Sequence, residues 1–133
     1  MRFAKRVFTV AAIYGLLILT PQYFFEERIG RDFPPAITHP EHFYGFVGVA
    51  LAWQVMFLVI ARDPVRFRLA MLPAILEKAT FGVAAVVLYV QGRIPLPTLG
   101  AGLIDLVLGT LFVLAYRWTP DRSSFEGSPK GHA

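Results

Sequence analysis

The chain has 133 residues, 56% of them hydrophobic and only 17% charged, against about 25% charged in an ordinary soluble domain. A soluble domain of that length cannot hide so much apolar surface, and the absence of cysteine excludes a disulfide framework, thiolate catalysis, iron-sulfur clusters and thiolate zinc sites. Lys and Arg number 13 against 9 acids, a formal charge of +4 that in a soluble protein would suggest nucleic acid; here it reads as a topology signal, and no nucleic-acid partner is expected.

Mean hydropathy is +0.55, and the apolar residues fall in long runs, so the solvent for most of the chain is expected to be lipid. The first span runs from Val7 to about Phe25 behind Arg2, Lys5 and Arg6. No small-x-small pair follows Thr20, so the span reads as uncleaved rather than as a signal peptide, with Tyr23, Phe24 and Phe25 at the interface and Pro21 bending its last turn. An external segment, Glu26 to His42, carries Pro34, Pro35 and Pro40. The second span, Phe43 to Ala61, has no formal charge, and Thr38-His39-Pro40-Glu41 ahead of it matches the S/T-x-x-E capping box.

The third span runs from about Leu69 to Gln91. Asp63 and Pro64 read as its N-cap and first helical residue, which makes a helix of about 28 residues, roughly 42 Å, kinked at Pro73 and stopped at Gly92. The fourth, Thr98 to Tyr116, is entered through Pro95 and Pro97 and closed by Arg117 and Trp118. Residues 119–133 form a polar tail that is expected to be disordered.

The expectation is therefore one all-α domain over residues 1–118, a polytopic, antiparallel four-transmembrane-helix bundle in which short connections pack span two on span three and span three on span four. Four spans put both termini on one side. Arg2, Lys5, Arg6, Arg62, Arg66, Arg68, Arg117, Arg122 and Lys130 flank that side, against Arg28, Arg31 and Arg93 on the other. The positive-inside asymmetry makes it the cytoplasmic side, of a bacterial inner membrane.

Glu77, Lys78 and Asp105 lie inside spans, where one ionised side chain costs about 2.5 to 3.5 kcal/mol at the helix centre. Counted at about 1.5 Å per residue, Glu77 and Asp105 differ in depth by roughly 7 Å, a gap a lysine can bridge. A Lys78 to Asp105 ion pair is expected, with Glu77 about 100° away round the helix, addressing another neighbour and, lacking a cation of its own, carrying a proton. Tyr14 and Gln54 fall at similar depth, so a polar layer of Tyr14, Gln54, Glu77, Lys78 and Asp105 follows, with Trp53 beside it as a candidate pocket wall. Small residues mark where backbones approach: Ala11 and Gly15, then Gly45, Gly48 and Ala52, then Gly102 and Gly109 on the Asp105 stripe.

His39 and His42 stand near Glu26, Glu27, Asp32 and Glu41. Glu41 is accounted for by the capping box and no recognised metal motif is present, so the segment reads as a solvated loop and no metal is expected. Paired carboxylates of glycosidase type, a nucleophile elbow and phosphate-cradling glycine loops are all missing, and no catalytic residue is assigned.

The four-span layout, the Leu76-Glu77-Lys78 stretch, Gly92-Arg93 and the Asp105 span ending Ala115-Tyr116-Arg117 together resemble the small bacterial four-span proteins of the DoxX-like type and their relatives. The resemblance implies a quinone-linked or accessory role in a membrane oxidoreductase system, and carries no catalytic residue across. The function expected first is a non-catalytic accessory or scaffold subunit whose polar layer stabilises the bundle or a partner contact; the alternatives are a lipophilic-ligand or quinone-linked binding subunit and a proton-coupled small transporter. Its partners would be the bilayer together with a second copy of the chain or another membrane protein. A closed, mutually bonded core fits the first, and a cavity reaching the polar layer fits the second.

Overall fold

The computed structural model describes residues 2–127, so the expectation of disorder for residues 128–133 of the tail lies outside the described residues. It is all helix, with no strand among the described residues: α1 (Arg2–Leu19) runs into a 3-10 turn at Thr20–Phe24, α2 (Glu26–Asp32) is short, α3 (Pro40–Arg62), α4 (Met71–Val90) and α5 (Leu96–Trp118) are long, and α6 (Ser123–Glu126) is a single turn of the tail. Four stretches are long and apolar enough to cross a membrane. Those of 23 residues reach about 34 Å, against a hydrocarbon core of about 30 Å. Their outward positions are apolar too: Val10, Leu17, Leu76, Val90 and Val107 are exposed, as expected of a surface whose solvent is lipid.

Chain punctuation sets the ends of the helices. Pro21 stands at the start of the 3-10 turn that ends the first span, where its missing N–H costs nothing. The turn after α4 uses Gly92 at φ 71°: its N–H donates to Tyr89 O at 2.9 Å and that of Arg93 to Leu88 O at 2.9 Å, the paired bonds that satisfy a helix's last carbonyls.

Three local expectations are corrected. The capping box does not form, because His39 rather than Thr38 is the N-cap of α3 and no side chain caps it. Pro40 is the reason: proline excludes the helical conformation at the residue before it, so the helix starts one residue too late for Glu41 to occupy the box position. The long third helix from Pro64 is broken, since residues 64–67 form a turn and Arg68–Ala70 a 3-10 turn before α4. Asp63 still closes that turn, its Oδ1 accepting from Arg66 N at 3.2 Å. Pro73 consequently falls in the first turn of α4, where its missing N–H breaks no helical bond.

In the packing, α1 lies on α3 and α4 lies on α5, and contact of α1 with α5 joins the two pairs. Consecutive α3 and α4 barely meet, contrary to the expectation from their short connection. Small residues decide this. A Cβ on Gly102 would overlap the Ala85 side chain, and one on Gly82 would meet Leu106 at 2.5 Å and the Gly102 carbonyl at 3.0 Å, so α4 and α5 approach as closely as backbones can. The face of α1 that carries Ala4, Ala11, Ala12 and Gly15 is buried and admits α3 in the same way. Gly45 and Ala52, expected at a helix contact, are exposed instead; the inner face of α3 is Val47, Ala50, Gln54, Phe57, Ile60 and Ala61.

The two ends of the bundle differ. At the end where α1 starts and α5 finishes, marked by Phe3 and Trp118 with ring centroids 4.8 Å apart, the core is closed by Phe8, Phe57 and Phe112. All three are fully buried, with centroids 4.2 Å apart for Phe8 and Phe112 and 5.0 Å for Phe57 and Phe112. Arg68 fastens the same end: its Nε donates to Thr119 O at 2.8 Å and Tyr116 O at 3.2 Å, and its guanidinium lies 3.8 Å from the Tyr116 ring centroid. Towards the opposite end, Tyr44 of α3 donates to Glu26 Oε2 of α2 at 2.8 Å.

Candidate functional site

Between the phenylalanine plug and the opposite end lies a cavity of about 140 Å³ to which all four long helices contribute. Tyr14, Gln54, Glu77, Lys78 and Asp105 all line it, so five of the six residues singled out in the sequence converge. Trp53 does not line it. It packs against the apolar core with its ring 6.3 Å from that of Phe57, because it stands one position, about 100°, round the helix from Gln54.

Lys78 is the pivot. It is 3% exposed, its Nζ donates to Asp105 Oδ1 at 3.2 Å, and Glu77 Oε2 is 3.7 Å away. The ammonium also lies 5.3 Å from the centroid of the Phe57 ring, at the edge of the plug. The backbone geometry follows from small residues, since a Cβ on Gly109 would stand 3.2 Å from Lys78 Cβ. The cross-helix pair spans the depth offset counted from the sequence. The separate neighbour expected for Glu77 is replaced by a shared cation: the Lys78 ammonium lies between its own helical neighbour and the facing aspartate, within ion-pair distance of both carboxyl groups.

Gln54 is 1% exposed. Its Nε2 donates to Ala50 O at 2.9 Å, and its Oε1 is packed so tightly on α1 that a Cβ at Gly15 would overlap it. Gln54 Oε1 and Glu77 Oε2 are buried with no hydrogen-bond partner among the described residues. Gln54 Oε1 has no donor at all among these residues, an arrangement that costs about 1 to 3 kcal/mol, whereas Glu77 Oε2 keeps the Lys78 ammonium at 3.7 Å without forming a hydrogen bond.

Residues the sequence did not single out complete the walls. Phe46 on α3 and Phe81 on α4 both line the cavity and face each other across the seam where these helices fail to close, with ring centroids 6.2 Å apart. Gln22 lies towards the end of the bundle opposite the plug, its Nε2 donating to Ile18 O at 3.2 Å. Phenylalanines within apolar spans look like lipid-facing residues, and Gln22 beside Pro21 looks like an interfacial turn; only knowing which helices touch separates these roles.

No family model, curated protein or solved structure matches the chain.

Proposed function

We propose that the protein is a membrane-embedded binding subunit that holds the headgroup of a lipophilic small molecule in the cavity between its four long helices. The observation that carries this reading is the cavity itself, which reaches a polar layer with two acceptors lacking a hydrogen bond. An accessory scaffold would be served by a closed core with its polar atoms bonded to one another, and the cavity and the unsatisfied acceptors weigh against that alternative. The volume suits a single ring, since an apolar cavity of about 150 Å³ accepts benzene. The rest of the ligand would leave between Phe46 and Phe81 towards lipid. Quinone-linked service to a membrane oxidoreductase system, implied by the resemblance to DoxX-like proteins, is one member of this class. The excess of basic residues on one side supports, under this reading, cytoplasmic termini, in keeping with the bacterial inner membrane that the resemblance implies.

Native mass spectrometry from mild detergent or nanodiscs tests it. The expected result is a small molecule retained by the protein and missing from Ala101→Trp, which fills the cavity from α5, with helicity unchanged. A wild-type protein that carries nothing, and takes up no member of a panel of single-ring lipophilic fragments, overturns the proposal.

A further inference from the structure

His39, Glu41 and His42 gather three ligand atoms of different side chains within 4.8 Å of one another, all exposed at the start of α3. The carboxylate is central: Glu41 Oε1 is 3.4 Å from His39 Nδ1 and 3.7 Å from His42 Nε2. Around a tetrahedral zinc with bonds of about 2.0 Å the ligand atoms stand about 3.3 Å apart. Two of the three separations are therefore near the required value, and the third is within 4.8 Å, between side chains that are solvent-exposed. The backbone holds the set together. Pro40 fixes the N-cap at His39, which places His42 one turn on and Glu41 between them, and the two imidazole rings lie with centroids 5.3 Å apart.

The reason for treating Glu41 as a structural residue has gone. The cap bond that would have occupied it is not made, and the polar contacts of the three side chains among the described residues are with one another. We infer that His39, Glu41 and His42 form a surface binding site for a divalent transition-metal ion, of zinc, copper(II) or nickel(II) type, at the membrane interface opposite the phenylalanine plug. Two imidazoles and one carboxylate select this class over calcium and magnesium, which require an oxygen shell. Three protein ligands leave at least one position for water or an exogenous ligand. The positive end of the α3 dipole opposes a cation here, and the Glu41 charge offsets that opposition. This inference is independent of the cavity reading.

The test uses the full chain in nanodiscs, purified without a histidine tag and carrying His132→Ala, since His132 lies outside the described residues. Competition with a chromophoric chelator should show one zinc ion per chain, and copper(II) should give an electron paramagnetic resonance spectrum with coupling to two nitrogens. His39→Ala and His42→Ala should each weaken zinc binding at least tenfold and remove one nitrogen coupling, and Glu41→Gln should weaken it severalfold. Calcium at the same concentration should not compete. Three results overturn the inference: no saturable zinc binding, binding undiminished in the double His39→Ala/His42→Ala variant, or a Glu41→Gln variant with unchanged affinity. Circular dichroism of each variant checks that helicity is intact, as expected for exposed side chains.

Discussion

Lys78 serves two carboxyl groups at once, so the members of the cluster are unequal. Removing the ammonium strands both Glu77 and Asp105, whereas removing the Asp105 charge leaves Lys78 the nearby Glu77. Lys78→Met is expected to cost about 3 to 5 kcal/mol, the usual penalty for breaking a buried pair, and Asp105→Asn clearly less. Thermal unfolding in a single detergent compares them, and equal losses would show that Glu77 does not share the cation. Gly15 is the second residue-scale case. Adding a methyl there displaces the fully buried Gln54 amide, so Gly15→Ala should lose about 1 to 3 kcal/mol through overpacking, and Gln54→Ala in the same chain should recover part of that loss. Strictly additive effects would mean that the two residues do not meet. Glu77, Lys78 and Asp105 were legible in the sequence because a charge inside an apolar run has few places to go. The sharing of Lys78 was not, since it depends on a side-chain path between two helices.

Among the elements, the end of α5 depends on a residue 48 positions earlier in the chain, Arg68, which reaches its carbonyls from the turn before α4. Arg68→Ala should cost about 1 to 2 kcal/mol and speed amide exchange over residues 115–119, because it removes bonds to a helix C-terminus together with a ring contact. Arg68→Lys should restore only part of the protection, since an ammonium cannot both fork to two carbonyls and lie flat on Tyr116. Unchanged exchange in Arg68→Ala would show that α5 holds its own end. Gly92 was readable as a helix stop because a positive φ favours glycine. The broken start of α4 was not. An Asp-Pro pair opens a helical turn equally well whether or not the helix then continues.

For the molecule as a whole, the consequence of pairing α1 with α3 and α4 with α5 is a seam between α3 and α4 bridged by Phe46 and Phe81. The chain has no native cysteine, so Phe46→Cys with Phe81→Cys provides a clean pair for a short bifunctional thiol reagent. Cross-linking is expected to proceed readily and, if the cavity binds a ligand as proposed, to stop uptake of a single-ring fragment, while either single variant treated alike still takes it up. A cross-linked protein that takes up a single-ring fragment at the unmodified rate would place the entrance elsewhere.

Four apolar runs, their turn residues and three intramembrane charges are properties of the chain read in one dimension, and they were enough to establish the helical class, the number of long helices and most members of the polar layer. Lipid accounts for that legibility, because every backbone polar group there must be satisfied within its own helix, and a run of about 20 apolar residues has few alternatives. Which helices touch was decided in three dimensions. Close approach is set by small residues meeting small residues across an interface, and Gly82, Ala85 and Gly102 draw α4 onto α5 while nothing comparable draws it onto α3. The cavity, its phenylalanine-bridged seam and the two acceptors left without a hydrogen bond all follow from that unequal packing, which no single helix encodes.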